Sequence, residues 1–150
     1  MKIYTNPHPI LRQRAKRVTL EQLNKKDIQI FIENLSKKMV EADGLGLAAP
    51  QVGKSQQIIA INIEDGPQIF INPRILWKSI RKEIGEDGCL SIPNVFGLVK
   101  RSKNLRLIYW DKNGKLKHLK ARGLFARVLQ HEIDHLRGIL FIDRMISKKK

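Results

Sequence analysis

The sequence predicts an α+β fold, in which antiparallel or mixed β-sheets pack around a central helix that carries a His-Glu-x-x-His motif, with one further helix near the N-terminus. Apolar residues recur at helical spacing in two stretches, residues 26–42 and 124–135. Several short strand-like segments lie between them, and no strand–helix repetition indicates a parallel sheet. The length of 150 residues and a hydrophobic content of 42% suit a single domain, residues 1–150.

The N-terminal part of the chain is predicted to contain one regular element. Residues 5–20 are expected to be irregular, because Asn6-Pro7 begins a stretch that interrupts regular structure. The helix that follows, over residues 26–42, has an apolar face formed by Ile28, Phe31, Ile32, Leu35 and Met39.

Residues 43–51 follow this helix as an apolar loop rich in small residues. Gly44 and Gly46 form a Gly-x-Gly pattern, but a dinucleotide-binding loop would follow a strand and open a helix. Here the pattern follows a helix, and Pro50 occupies the stretch that would open the next one. The loop therefore suits close packing beside a pocket, and Gln51 supplies a neutral hydrogen-bond donor.

The middle of the chain is predicted to consist of strands, at residues 57–63, 69–71, 75–84, 105–109 and 115–120. Asn72-Pro73 is expected to separate the second strand from the third, and Asn113-Gly114 is a hairpin signal between the last two. The three lysines at residues 148–150 are expected to form a frayed tail.

The motif His131-Glu132-x-x-His135 is the strongest chemical signal in the chain. On a helix, positions i and i+4 project from the same face, so the two imidazoles can hold one divalent metal. The neighbouring carboxylate can then act as a general base toward water. Leu124 and Val128 precede the histidines at the same spacing, so this apolar stripe points them into the protein interior. Two buried, hydrogen-bonded histidines without a metal are the less favoured interpretation.

A catalytic metal site usually has three protein ligands and one open position. Downstream of the motif, a third histidine is missing at the expected position, which is Phe141, and no glutamate follows Glu132. Cys89, the single cysteine, is therefore the candidate third ligand. A lone cysteine can also be a small buried hydrophobe. Gly88 directly before it favours the functional interpretation, because glycine permits unusual backbone geometry or close approach beside the thiol.

The formal net charge of +15 is concentrated in the second half of the chain. A basic surface of this kind can bind polyphosphate, although solvated lysines on exposed strand faces explain the charge equally well. No helix-turn-helix, zinc-finger or aromatic RNA-binding signature accompanies the charge, so docking on a ribonucleoprotein is favoured over sequence-specific nucleic-acid binding. The basic residues in question are Lys100, Arg101, Lys103, Arg106, Lys112, Lys115, Lys117, Lys120 and Arg122.

The expected compartment follows from the absence of export signals. No apolar run approaches the length of a membrane span, and the N-terminus has no secretory apolar region. A single cysteine cannot form an intramolecular disulfide. We therefore expect no membrane association and a reducing, cytoplasmic compartment, with an organellar homologue trimmed of its targeting peptide as the alternative.

Three segments together resemble the signature motifs of the peptide deformylase family. They are Gly-Leu-Gly-Leu-Ala-Ala-Pro-Gln at residues 44–51, Gly-Cys-Leu-Ser at residues 88–91 and Gln-His-Glu-Ile-Asp-His at residues 130–135. The resemblance spans nearly the whole chain, and the combination is highly specific. It implies a metal-dependent hydrolase of protein biosynthesis, which removes the N-formyl group from the N-terminal formylmethionine of nascent polypeptides. The family's metal is Fe²⁺, with Zn²⁺, Ni²⁺ or Co²⁺ as substitutes.

Carried over by position, the resemblance assigns the metal to Cys89, His131 and His135 and makes Glu132 the general base and acid. It places the oxyanion site at Gln51 and at the backbone N–H of Leu90. The pocket for the methionine side chain would be formed by Leu45, Gly46, Leu124 and Val128.

The chain departs from the family pattern in two places. The middle motif of the family usually begins with glutamate, where this chain has Asp87. Arg101 is its expected partner, so the resemblance implies the same ion pair with a shorter acidic side chain. Many bacterial members also continue into a C-terminal helix implicated in ribosome docking, whereas this sequence stops soon after Met145. Ribosome docking would then use the basic strands.

Two interpretations from other functional classes stay open at this point. A general His-Glu-x-x-His metallopeptidase would cleave internal bonds of unformylated peptides. A metal-stabilised nucleic-acid-binding module would keep its role when Glu132 is replaced.

Overall fold

The computed structural model describes residues 1–148, with Lys148 described by its backbone alone. These residues form the helices α1 (Leu20–Leu23), α2 (Lys26–Glu41) and α3 (Gly123–Leu136), and three 3₁₀ turns at Pro9–Arg12, Ala49–Val52 and Phe141–Asp143. The strands are β1 (Gly46–Ala48), β2 (Ile58–Ile61), β3 (Gln68–Lys78), β4 (Lys82–Cys89), β5 (Ile92–Ser102), β6 (Asn104–Trp110), β7 (Leu116–Arg122) and β8 (Met145–Lys148).

The strands form two sheets. The first has the order β1-β2-β3-β6-β7, and the second has the order β4-β5-β8. Every neighbouring pair within these two sheets is antiparallel. The predicted α+β class with antiparallel sheets is therefore confirmed.

Helices α2 and α3 pack on opposite faces of the first sheet. Successive residues of a strand point to opposite faces, and β2 divides its side chains accordingly. Ile58 and Ala60 join the cluster under α2, whereas Ile59 and Ile61 join the cluster under α3. Helix α3 also faces the second sheet, because Asp134 on its far side reaches Arg101 of β5. Eleven of the fourteen residues of α3 are buried as a result.

The elements with the clearest local signals are present as predicted. Helix α2 covers residues 26–41 of the predicted 26–42. Strands β6 and β7 pair antiparallel around the turn at Asn113-Gly114, where Gly114 takes a positive φ of 82°. Within residues 1–148 no helix is both long and apolar enough to cross a membrane.

The predicted break at Asn72-Pro73 is wrong, because β3 runs continuously through it with a shift in register toward β6. Asn72 takes a positive φ of 51° there. Its side chain accepts a hydrogen bond from the backbone N–H of Val18 and donates one to the Val18 carbonyl, each 2.8 Å long. The amide therefore stabilises an irregularity that would otherwise end the strand.

The single strand predicted at residues 75–84 is also wrong. Strand β3 ends at Lys78 and β4 begins at Lys82, so a turn lies in the middle of the predicted element. The hydroxyl of Ser79 closes this turn: it donates to the Arg81 carbonyl at 2.7 Å and accepts from the backbone N–H of Asn104 at 3.0 Å.

Strand β1 was not predicted, because it lies within residues 43–51, which were expected to be a loop. Strands β5 and β8 were not predicted either; they pair with each other, and Lys148 lies opposite Gly97. The expectation of a frayed tail is therefore wrong for the backbone of Lys148, while residues 149 and 150 lie outside the described part of the chain.

Candidate metal centre

Cys89, His131 and His135 converge between strand β4 and helix α3. Cys89 is the last residue of β4, and the two histidines lie one turn apart on α3. One ligand atom from each residue lies within 4.8 Å of the other two. The Sγ of Cys89 is 3.3 Å from Nε2 of His135, and the two imidazole rings are 5.1 Å apart between centroids. The three candidate ligands thus form one compact group.

The orientation of His131 is set by Asp87, whose Oδ2 lies 3.1 Å from Nδ1 of the imidazole. A carboxylate on one ring nitrogen fixes the ring and leaves the other nitrogen for a metal. Both histidines are buried, with 8% of His131 and 1% of His135 exposed. The side chains of His131 and His135 therefore point into the protein interior, as predicted.

The two histidines have opposite pKa shifts. Burial lowers the pKa of His131, but the charge of Glu132 and the hydrogen bond to Asp87 outweigh it and raise this pKa to about 10. Burial and the nearby positive charges of His131 and Arg101 lower the pKa of His135 well below its usual value. A metal ion requires the unprotonated nitrogen, so binding at His131 has to displace a proton.

Glu132 is buried beside this group, with 3% of the residue exposed. Its Oε2 lies 3.8 Å from Nε2 of His131, and its Oε1 has no hydrogen-bond partner among residues 1–148. Burial raises the pKa of Glu132 to about 7, against the lowering effect of His131 and Arg101. A carboxyl group with a pKa near neutrality can both accept and return a proton.

Gln51 presents its amide donor to the same site from the 3₁₀ turn Ala49–Val52. Its Oε1 accepts a 2.9 Å hydrogen bond from the backbone N–H of Ala48, which fixes the orientation of the amide. Its Nε2 then donates to Oγ of Ser91 at 3.1 Å and lies 3.4 Å from Sγ of Cys89. Leu90, which lies between Cys89 and Ser91 in the sequence, lines the adjoining cavity.

Asp87 and Arg101 form an ion pair behind the candidate ligands, as the family resemblance implies. Both Nε and Nη2 of Arg101 donate to the same atom, Oδ2 of Asp87, at 3.1 and 2.8 Å. The pair is 4% exposed on each side. Burial alone would raise the pKa of Asp87, but the hydrogen bond from His131 and the charge of Arg101 hold it well below its usual range. Arg101 is consequently not part of the basic surface to which the sequence analysis assigned it.

Two further residues of helix α3 belong to this network, and the sequence analysis missed both. Arg127 donates from Nη1 to Oδ1 of Asp87 at 2.9 Å. Asp134 accepts from Nη1 of Arg101 at 3.1 Å and from Nε of Arg144 at 2.7 Å. An aspartate on the buried helix carrying the motif was a usable signal for Asp134, whereas a single arginine gives no such signal.

A cavity of about 480 Å³ opens beside Glu132. The four residues to which the family resemblance assigns a substrate pocket all line this cavity: Leu45, Gly46, Leu124 and Val128. Val128 is buried, whereas Leu45 and Leu124 are about half exposed. The cavity also has a wall that the sequence analysis missed, because it belongs to β5: Ile92, Pro93, Asn94, Val95 and Phe96.

Comparisons with known proteins agree with this geometry. The family model described as Polypeptide deformylase matches residues 1–150. The peptide deformylase of Thermotoga neapolitana is 44% identical over 143 residues, which are 95% of this chain and 85% of that protein.

Solved structures give the same relationship. The crystal structure of peptide deformylase from Thermotoga maritima is 41% identical, with a TM-score of 0.92 and 96% of each chain covered. A class I type b peptide deformylase from Acinetobacter baumannii, solved with Met-Ala-Ser bound, is 32% identical with a TM-score of 0.93 and covers 97% of this chain and 98% of its own. Since sequence, fold and family model agree over almost the full length, the chain belongs to the polypeptide deformylase family.

Proposed function

We propose that this chain, a peptide deformylase by family, removes the formyl group from N-formylmethionyl nascent peptides with a metal held by Cys89, His131 and His135. The observation that carries the proposal is the convergence of these three ligand atoms within 4.8 Å beside the buried carboxyl of Glu132. The family supports this reaction over a general metallopeptidase or a nucleic-acid-binding module. The whole chain, residues 1–150, is then one catalytic domain built around helix α3.

The donor set fits a first-row divalent ion. One thiolate and two imidazoles suit Fe²⁺, Zn²⁺, Ni²⁺ and Co²⁺. We take Fe²⁺ as the native metal, with the other three as functional substitutes. When bound, the metal supplies Lewis-acid activation of water and of the formyl oxygen. Asp87 supports the ligands by holding the imidazole of His131, and Arg101 in turn holds Asp87.

Glu132 moves the proton in both halves of the reaction. It accepts the proton of the attacking water and delivers it to the nitrogen that leaves when the formyl C–N bond breaks. Its burial suits this role, because the pKa near 7 keeps both protonation states accessible. The orphaned Oε1 gives the carboxyl group an acceptor that no residue among 1–148 occupies.

Gln51 and the backbone N–H of Leu90 stabilise the negative charge that develops on the formyl oxygen. Gln51 is suited to this because the hydrogen bond from Ala48 fixes the orientation of its amide and directs Nε2 toward Cys89 and Ser91. Both residues line the cavity beside Cys89.

The cavity holds the methionine side chain. Its apolar wall is formed by residues on two elements, with Leu45 and Gly46 on one side and Leu124 and Val128 on helix α3. A formyl carbon carries only hydrogen, so a narrow space at the metal admits it and excludes longer acyl groups.

The basic surface is proposed as the contact to the ribosome. Lys100, Arg106, Lys120 and Arg122 are exposed on strands β5 to β7. A second cavity, of about 230 Å³, adds further cations; its lining includes Lys78, Lys82, Lys100, Arg137 and Arg144. Counterion release would drive this contact without sequence-specific recognition of RNA. Action on nascent chains in the cytoplasm, or in an organelle of bacterial origin, agrees with this partner.

The deciding experiment measures deformylation of formyl-Met-Ala-Ser by protein purified without oxygen, with metal content quantified on the same sample. Release of formate in proportion to bound metal is expected, with no cleavage of unformylated peptides. Cys89→Ala, His131→Ala and His135→Ala should each lose both metal and activity. Internal cleavage of unformylated peptides, or a role that persists in Glu132→Gln, would contradict the proposal.

A further inference from the structure

Arg127 joins helix α3 to both strands of the hairpin that carries the candidate thiol. It lies one helical turn before His131 and is among the residues that line the cavity. Nη1 donates to Oδ1 of Asp87 at 2.9 Å and to the Val99 carbonyl at 3.1 Å. Nη2 donates to the Glu83 carbonyl at 2.8 Å. The guanidinium is therefore held by β4 and β5 together.

Gly85 of β4 lies in close contact with this guanidinium. A Cβ placed on Gly85 would lie 2.8 Å from Cζ of Arg127 and 2.9 Å from its Nε. Both distances are shorter than those that real Cβ atoms show, so the guanidinium occupies the space that a side chain at Gly85 would fill. Because hydrogen bonds hold the guanidinium in this space, a larger residue at position 85 would displace it from those partners.

The two oxygens of Asp87 are divided between different partners. Oδ2 receives Arg101 and Nδ1 of His131, whereas Oδ1 receives Arg127. Arginine and a carboxylate ordinarily favour a fork in which two parallel N–H groups bind two oxygens. Arg101 instead places both of its N–H groups on Oδ2. The hydrogen bond from Arg127 to Oδ1 therefore opposes rotation of the carboxylate toward such a fork.

We propose that Arg127 is a positioning residue of the candidate metal centre: by holding Oδ1 of Asp87, it keeps Oδ2 on Nδ1 of His131. This inference rests on the proposed function, in which the imidazole of His131 is a metal ligand. Without Arg127, Arg101 gains access to both carboxylate oxygens, and the carboxylate turns away from the imidazole. Arg127 acts on the metal only through Asp87 and His131.

The test compares Arg127→Ala and Arg127→Lys with the exposed Arg14→Ala as a matched control. Zn²⁺ affinity is measured by chelator competition, and the Nδ1–H of His131 is followed by NMR in the zinc form labelled with ¹⁵N-histidine. Loss of a group that orients a metal ligand typically weakens affinity by about 10- to 100-fold, which is expected for Arg127→Ala together with faster exchange of the Nδ1–H. Lysine should not restore either value, because its single nitrogen cannot reproduce the spacing of Nη1 and Nη2, which bind different partners.

Gly85→Ala provides an independent variant that keeps the arginine. Its new Cβ should displace the guanidinium from its hydrogen-bond partners and so reproduce the loss of Zn²⁺ affinity expected for Arg127→Ala. In Arg127→Ala the same substitution should cost nothing more, since the Cβ then meets no guanidinium. Wild-type Zn²⁺ affinity and Nδ1–H exchange in Arg127→Ala would overturn the inference, as would additive effects of the two substitutions. Neither readout requires turnover, so failure of wild-type deformylation would instead overturn the proposed function.

Discussion

Gly46→Ala is expected to disable Glu132 without touching a candidate metal ligand. Gly46 opens strand β1 and lies against the carboxyl group of Glu132. A Cβ at this position would be 2.6 Å from Oε2 and 2.9 Å from Cδ. To reach an ordinary contact of 3.4 Å, the carboxyl group has to retreat by about 0.8 Å, on the scale at which misplacement of a catalytic group becomes costly.

The magnitude follows from this displacement. Misplacing a reacting group by roughly 1 Å costs about 10²-fold in rate, equivalent to about 2.7 kcal/mol of activation free energy. Strand β1 is held by its pairing with β2, so the carboxyl group of Glu132 has to move and the strand does not. Overpacking of this kind also destabilises the fold by about 1–3 kcal/mol. Bound metal should stay at the wild-type level, because Cys89 and both histidines are not displaced.

The assay is kcat for formyl-Met-Ala-Ser together with metal content and thermal unfolding of the same preparation. Gly44→Ala is the matched control in the same loop, because the atom nearest to its Cβ would be the flexible end of Leu90 at 3.0 Å, and the carbonyl oxygens of Gly46 and Met39 would lie at ordinary contact distances of 3.4 and 3.6 Å. We expect a much smaller loss there. Wild-type kcat in a fully metallated Gly46→Ala protein, while Glu132→Gln is inactive, would refute the argument from close packing.

Four further predictions concern the same network and the surface. Glu132→Gln should retain its metal and lose turnover by about 10²- to 10⁴-fold, as measured by metal analysis and formate release. Asp87→Ala and Arg101→Ala should each impair turnover, with the double variant no worse than the poorer single one; simple additivity would show that they do not act as a pair. Zn²⁺ affinity of the metal-free protein should rise by at least about tenfold per pH unit between about pH 6 and pH 8, because His131, whose pKa is raised to about 10, must lose its proton and Cys89 must bind as the thiolate; calorimetry in buffers of different ionisation enthalpy counts the protons released. Co-sedimentation with ribosomes should fall steeply with added salt, and no binding at low salt would leave residues 100–122 as ordinary solvated surface.

The elements that local periodicity encodes could be predicted from the sequence. Helix α2 and the hairpin of β6 and β7 depend on side-chain spacing and a turn signal, both contained within a few neighbouring residues. The course of β3 through Asn72 could not be predicted, because it depends on hydrogen bonds to Val18, 54 residues earlier. Strand β5 was missed because Pro93 and Gly97 resemble loop residues, and its partners β4 and β8 are set by tertiary pairing.

The residues of the candidate site likewise fall into those that the sequence could predict and those that it could not. Residues that belong to contiguous motifs, such as Cys89 and His131, could be named in advance, and the structure brings them together. Arg127 could not, because its role depends on Gly85 and on carbonyls of strands 28 to 44 residues away. Asp134 was overlooked, although a carboxylate on the buried face of α3 already required a cationic partner.

The order of the strands has a consequence for how the protein acquires its fold. Strands β4 and β5 lie between β3 and β6 in the chain but belong to the other sheet, which β8 completes only after α3. Such interleaved, non-local pairing raises contact order and slows folding, because long loops must close before the contacts form. The contact between Cys89 and His135, which are 46 residues apart, is one of these late contacts. During vectorial synthesis the thiol therefore emerges well before either histidine, and capture of a metal by the proposed ligands would have to wait until helix α3 has been made and packed.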